Sequence, residues 1–493
     1  MTAITAPVSH PDQFFIDGGW VNPSSDAKIE VIDSGTEELY FRVPEAQAAD
    51  IDRAVTAARK AFDEGPWLRL SHQERAGYLR GFAAALRERA GDVGEIWPRQ
   101  SGVLQSIALL TAQGEASMFD YYADLAATFP FEEQHQPSLG GFGLLVREPV
   151  GVVGAIIPWN GPLSLIVYKI APALLAGCTV VIKASPEAPG EAYLVAEIAE
   201  KLGLPAGVLN VVTADREVSE LLVRDPRVDK IAFTGSTAAG RRIASLLGER
   251  IGRYTLELGG KSAAVVLDDA DIETTATHLA GAECLMTGQV CASLTRIVVT
   301  RDRHDALVDA LAASFSQVRV GSPFDPETQM GPLAMSRQRD RVEGYIAKGI
   351  AEGATLATGG GRPKHLDHGY YVEPTVFANV DNSHTIAQEE IFGPVLSVIP
   401  AADEAESIRI ANDTIYGLNA SVFTADLDRA QAVARQLRSG TVGINAFRSD
   451  FGISFGGFKQ SGVGREGGRE GQLPYHEVKT VLGDQAPPGY TLI

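Results

Sequence analysis

Cysteine is scarce in this chain, with three in 493 residues. That excludes a disulfide-stapled secreted scaffold, and no Cys/His cluster has metal-site spacing, so no metal is expected. Positive charge is also short: 43 Lys and Arg stand against 62 Asp and Glu, a formal net charge of -19. Such a field opposes phosphate backbones and anionic lipid, so neither a nucleic-acid nor a membrane partner is expected. The N-terminus lacks the basic start and apolar core of a signal peptide, which with the few thiols predicts a reducing, cytoplasmic setting. Long apolar runs are missing too. The nearest, residues 150–167 (VGVVGAIIPWNGPLSLIV), is interrupted by Pro158, Asn160 and Pro162 and reads as buried strand plus loop.

What is present is an ordinary globular composition, 45% hydrophobic, in a chain long enough for two or three domains. Residues 46–63 have alanine, isoleucine and valine at helical spacing, and the stretch opening SHQERAGYLRGF repeats the pattern with Ser71 at its cap. Then VGVVGAII, CTVVIKAS, GVLNVVT, VDKIAFTGS and YTLELGGKSAAVVL alternate with helical stretches, the signature of a doubly wound parallel α/β sheet. A second alternation runs from RIVVT (296–300) to TVGINA, predicting a second α/β domain. Residues 138–153 suit a protruding hairpin between helical regions, and the tail from Tyr475 is strand-like. Together they predict one small exposed sheet whose edge suits an oligomer contact.

Three distant stretches carry reactive groups. IIPWNGP places Asn160 on a proline-stiffened loop, LELGGKS puts Glu257 at a strand end with Gly259 and Gly260 beside it, and GQVCAS holds Cys291. Each has a plain structural alternative: a lone Asn satisfies turns, Glu257 and Lys261 form an ion pair, and a free cysteine packs inertly. The glycine-rich GSTAAGRR (235–242) nearly matches a phosphate-binding loop, but Arg241 and Arg242 replace the needed Lys and Ser/Thr, so a P-loop NTPase is excluded.

Together these motifs resemble the aldehyde dehydrogenase superfamily in its hydrolytic, NAD(P)-dependent branch. PWN, FTGST, ELGGKS, GQVC, EEIFGPV, SFGGFKQSGVGRE and EVKTV occur in the family's order over nearly the whole chain. The resemblance implies two doubly wound α/β domains and a small β oligomerisation extension. Its expected limits are 1–127 with 149–258 for Rossmann-like NAD(P) binding, 259–460 for catalysis, and 128–148 with 461–493 for oligomerisation.

It also implies site roles. Cys291, 34 positions after Glu257, is the nucleophile, whereas Cys284 packs in a helix and Cys178 in a strand. An aldehyde has no leaving group, so a thiolate must first form an adduct able to expel hydride. A helix N-terminus or a nearby positive charge is expected to lower the thiol pKa. Asn160 and the Cys291 amide hold the oxyanion, Glu257 activates the hydrolytic water, and Lys169 and Glu466 support proton transfer. Trp159 and Lys183 lie around the adenosine ribose, Gly235 and Ser236 at the pyrophosphate, and Glu390 and Phe392 at the nicotinamide ribose. Glu477 is expected to pair with Arg253 and Arg465 near a subunit interface.

Two departures bear on specificity. Gly161 stands where relatives carry a bulky aromatic, and with Tyr168 and Phe455 it predicts a tunnel for bulky or medium-to-long apolar aldehydes. Pro186 occupies the position where NAD-preferring members carry a ribose-binding Glu, and the carboxylate moves to Glu187. No second basic residue accompanies Lys183 in sequence, so NAD is expected over a possible NADP by about 10-fold. The alternatives are a CoA-acylating semialdehyde dehydrogenase, which Glu257 opposes, and a silent binding homologue, which the intact Cys291, Glu257 and Asn160 oppose. A homo-oligomer, dimer or tetramer, is expected.

Overall fold

A computed structural model describes residues 6–488 and residue 490. Five strands at its centre are parallel. In spatial order they are Arg253–Glu257, Lys230–Thr234, Val152–Ile156, Thr179–Ala184 and Leu209–Thr213. The last four have every residue buried, as strands covered by helices on both faces must. Of these five, the first in chain order lies in the middle, beside the fourth. That reversal is a topological switch point, where open α/β sheets leave a crevice at the strands' carboxyl ends. Gly462–Val463 closes one edge antiparallel, and Phe14–Ile16 with Gly19–Val21 close the other.

A second sheet has seven strands, all parallel except Thr355–Thr358. YTLELGGKSAAVVL, read as one unit in the sequence, divides between the sheets: Arg253–Glu257 ends the first and Ala263–Val266 starts the second. The intervening Gly-Gly permits this because no side chain obstructs the crossing.

A three-stranded antiparallel sheet joins Glu132–His135, Phe142–Pro149 and His476–Gly483. The expected association of hairpin and tail is present, with different limits. The hairpin begins at Glu132, and Val152 already belongs to the central sheet. Of the expected tail, Gly462–Val463 pairs with the eight-stranded sheet and Glu466 is buried, so only His476–Gly483 joins the hairpin. Residues 489 and 491–493 lie outside the described residues.

Stretch 150–167 also differs from strand plus loop. The helix Pro162–Ala176 begins inside it, because a proline at the first helical position sacrifices an amide that lacks a partner anyway. Ser71 caps His72–Glu88 in a reciprocal capping box with Glu74, as its position in the sequence predicts. Among the described residues no helix is long and apolar enough to cross a membrane, and no group of His, Cys, Asp and Glu is arranged to hold a metal ion.

Candidate active site

Loops leaving the two switch-point strands converge on a cleft of about 460 Å³. Pro158, Trp159 and Asn160 come from one, Gly235 and Ser236 from the other, and Leu258, Gly259 and Cys291 close the floor. Glu390 and Phe392 line the wall, with Trp159 and Phe392 rings edge to face at 5.3 Å. A further cavity of about 780 Å³ lies around Gly321, Thr328 and His365 and contains none of these groups.

Cys291 reaches the floor by an unusual route. The helix Ile272–Cys284 stops, and Met286, Thr287 and Gly288 then adopt left-handed backbone, with φ of 51°, 58° and 69°. Such φ values are rare outside glycine and persist only where surroundings enforce them. Gln289 supplies that enforcement: its side chain donates to the Ser101 and Met286 carbonyls and accepts from the Ala334 amide. The Asn160 side-chain amide donates to the Gln289 carbonyl at 2.9 Å, two residues from the thiol. Trp97 Nε1 donates to the Asn160 carbonyl, and the Ser101 hydroxyl to that of Trp159, pinning the PWN loop.

The thiol's environment corrects one expectation. Cys291 lies in a turn rather than at a helix N-terminus. Burial pushes its pKa up to about 12, Glu390 and Glu257 add to the rise, and only the Cys291 and Ala292 amides oppose it. Cys284 is buried at the helix end, and Cys178 is buried one residue before its strand, so both pack as expected.

Glu257 is 3% exposed, and neither carboxylate oxygen has a hydrogen-bond partner. Burial holds its pKa well above the ordinary carboxylate range; Glu466 adds to the shift, while Lys169 and Arg465 oppose it. Lys169 Nζ pairs with Glu466 at 2.7 Å and donates to the Thr234 hydroxyl at 2.6 Å, all within the core.

The room left by Gly259 and Gly260 is taken by the chain itself. A Cβ on Gly259 would lie 2.5 Å from Glu390 Oε2, and one on Gly260 would collide with the Cys291 carbonyl. The Gly260 amide donates to Glu390 Oε1 at 3.0 Å. Burial raises the Glu390 carboxyl to about 7. Lys261 does not pair with Glu257; its buried ammonium has no partner, and burial lowers it to about 7.

Gly235 follows the strand Lys230–Thr234 and Ser236 caps the helix Thr237–Gly248, its hydroxyl accepting from the Ala239 amide. A helix N-terminus facing a cleft is an anion site, so pyrophosphate fits here. Arg241 and Arg242 turn instead to Gln460 and Glu220. Lys183 is buried where its strand ends, and burial lowers its pKa to about 8.

On the substrate side, Phe455 and partly buried Phe451, Phe447 and Val290 pack around Cys291. Tyr168 stacks on Phe451 at 3.9 Å, and Phe451 on Phe455 at 4.3 Å. The Tyr168 hydroxyl donates to Glu115, a buried carboxyl raised to about 7 by desolvation. A Cβ on Gly161 would meet only the Trp97 ring edge, at 4.0 Å.

Sequence reasoning missed Gln289 as a clamp, Glu115, and the helix Ser336–Ala351. From that helix Arg337, Gln338 and Arg341 line the cleft, and Gln338 and Arg341 hold the main-chain carbonyls of Glu390, Ile391 and Phe392. The available signal was Arg337 and Arg341 four residues apart, a basic helical face in an acidic chain. The expected Glu477 pairing is half realised: Arg253 meets it at 2.7 Å, whereas Arg465 donates to the Gly457 and Gly464 carbonyls.

A thiol and an anchored amide lining one cleft at a sheet switch point, with a buried unpartnered carboxyl whose charge acts on the thiol, define a class, an α/β enzyme equipped for covalent thiol chemistry beside a dinucleotide-type site. The chain belongs to the aldehyde dehydrogenase family, whose profile matches residues 20–481. It is 45% identical to a geranial dehydrogenase of Castellaniella defragrans over 95% of this chain and 98% of that protein. It is 43% identical to a 3-succinoylsemialdehyde-pyridine dehydrogenase of a Pseudomonas species, over 96% and 98% respectively. A Mycobacterium tuberculosis aldehyde dehydrogenase complexed with NAD+ superposes with a TM-score of 0.94 at 45% identity, covering 98% of this chain and 100% of that one. A variant aldehyde dehydrogenase C of Pseudomonas syringae, complexed with NAD+ and octanal, gives 0.94 at 38%, covering 99% and 100%.

Proposed function

We propose that this enzyme oxidises aldehydes to carboxylates with NAD as hydride acceptor, Cys291 as nucleophile and Glu257 as the hydrolytic base. The observation that carries the reading is Cys291 on the cleft floor with a buried Glu257 whose charge acts on the thiol and whose oxygens have no hydrogen-bond partner. The Cys291 sulfur passes its proton through Glu257 to solvent and bonds the aldehyde carbon. The Asn160 amide and the Cys291 backbone N–H stabilise the oxyanion. NAD, when bound, supplies the hydride acceptor. Trp159, Lys183, Gly235, Ser236, Glu390 and Phe392 would hold it. Collapse leaves a thioester on Cys291. Glu257 then takes a proton from water, whose oxygen attacks the thioester and releases the carboxylate and the thiol. The Lys169–Glu466 pair sets the charge that Glu257 senses.

The substrates are bulky or medium-to-long apolar aldehydes. Gly161 leaves open space, and Tyr168, Phe451 and Phe455 form an aromatic wall leading to the thiol. Relatives named for geranial, or crystallised with octanal, agree in substrate character. The division of the chain at 258/259, a cytoplasmic setting with three free thiols, and a homo-oligomer of two or four chains belong to the same reading. The oligomer forms through the strand His476–Gly483, where Val478 and Leu482 are exposed.

The test is NADH absorbance with geranial, octanal and acetaldehyde, with and without CoA. The expected order of kcat/KM places geranial and octanal above acetaldehyde, with no requirement for CoA. Turnover only with CoA, or none with any aldehyde, overturns the proposal.

A further inference from the structure

Glu187 forms an ion pair with Arg337, a residue of the cleft lining. Glu187 lies three residues beyond the strand Thr179–Ala184, whose carboxyl end is where a doubly wound sheet receives a ribose. Arg337 comes from the helix Ser336–Ala351 and lines the cleft. The Glu187 carboxylate is fully engaged, one oxygen taking the Ser185 hydroxyl and the other the Arg337 guanidinium. Lys183 is buried beside it, with Glu187 and Asp215 as the acidic groups acting on its ammonium. Arg337 is 67% exposed, and Glu187 is its one acidic partner within ion-pair distance among the described residues.

Lys183, Glu187, Asp215 and Arg337 all contribute charge here. Lys183, Glu187 and Asp215 alone would sum to one negative charge; Arg337 brings the sum to zero. A guanidinium matches phosphate in geometry and is pre-organised for it, and an exposed one gives up a carboxylate partner at little cost. The sequence around Lys183 shows no second base, but the fold supplies one from 150 residues away.

We infer that Arg337 is a specificity-determining residue that opens the adenosine-ribose end of the cleft to a 2′-phosphate, leaving this enzyme able to bind NADP as well as NAD. The inference rests on the dehydrogenase reading above. Arg337 leaves Glu187 for the phosphate when NADP binds and stays paired with it when NAD binds. Its role concerns binding alone.

Equilibrium binding of NAD and of NADP, followed by calorimetry on the full-length enzyme, tests this without turnover. In Arg337→Ala the Kd for NADP rises at least about 10-fold, the NAD value moves less than about 3-fold, and Arg337→Lys restores most of the NADP affinity. The wild-type Kd for NADP also rises more steeply with salt than that for NAD, because an extra charge pair is screened. A Kd ratio unchanged in Arg337→Ala overturns the inference, as does a wild-type enzyme that binds NAD but not NADP at millimolar concentration. Failure of the underlying reading is distinguishable, since neither nucleotide would then bind the wild type.

Discussion

In the core behind the cleft Glu257, Glu466 and Lys169 are at most 3% exposed, whereas Glu148, Lys479, Glu477 and Arg253 around the three-stranded sheet are about half exposed. The peripheral charges form simple pairs, Lys479 with Glu148 across neighbouring strands and Arg253 with Glu477. Each is screened by water and contributes about 0–1 kcal/mol. The interior charges are fewer, incompletely paired and strongly perturbed, with Glu257 and Glu390 both raised by burial. Water decides the difference. Where it is excluded, a carboxyl holds its proton until the pH is high, and it becomes a base suited to neutral conditions. Where water enters, the same residue type only decorates a surface. Substitutions at the two places should therefore differ by orders of magnitude.

The largest effect belongs to Cys291→Ala, which should abolish NADH formation, while Cys284→Ala keeps most of it. Both thiols are pushed up to about 12 by burial, so acidity alone does not separate them; position on the cleft floor does. Equal activity loss in two folded variants would contradict the assignment.

Glu257→Gln should lower steady-state turnover by roughly 10²–10⁴, the usual worth of a general base. The sign of the pH dependence follows from the raised pKa: the carboxyl is protonated and idle at low pH, so wild-type kcat climbs as pH rises through that value. The variant loses this limb. Because burial raises the Cys291 thiol as well, stopped-flow traces separate removal of the thiol proton by Glu257 from its activation of water. A steady rate slowed more than the initial burst assigns Glu257 chiefly to water, and unchanged steady turnover removes it as the base.

Asn160→Ala should cut kcat by roughly 10²–10³, the cost of one oxyanion donor. It also removes the hydrogen bond to the Gln289 carbonyl, worth about 1 kcal/mol of stability. A change confined to KM would make Asn160 a binding residue instead.

Glu477→Lys is the smallest. It replaces a half-exposed pair with a repulsive one, so folding stability should shift by no more than about 1 kcal/mol. Size-exclusion chromatography with light scattering should show weaker assembly, and cofactor Kd should move less than a partly buried pair would imply. Arg465 does not join the pair, which is why the effect stays local. Loss of activity comparable to that of Asn160→Ala would erase the contrast between the two regions.

The sequence by itself determined many of the elements and the candidate reactive groups. Buried strands such as Val152–Ile156 and Lys230–Thr234 follow from local apolar runs, the cap at Ser71 from its position before Glu74, and Cys291, Glu257 and Asn160 from short motifs in order. Such features depend on neighbours within a few residues, so they are legible in one dimension. Tertiary structure alone decided three matters. It held the Cys291 loop in left-handed backbone through Gln289, set against Ser101 and Ala334. It filled the space beside Gly259 with Glu390 and the space beside Gly260 with the Cys291 carbonyl, where sequence implied only room. It also surrounded the thiol with carboxyls rather than cations and carried Arg337 to Glu187. These outcomes arise from groups that meet only after the chain has crossed between two sheets. Burial and charge depend on those meetings, and no spacing along the sequence records them.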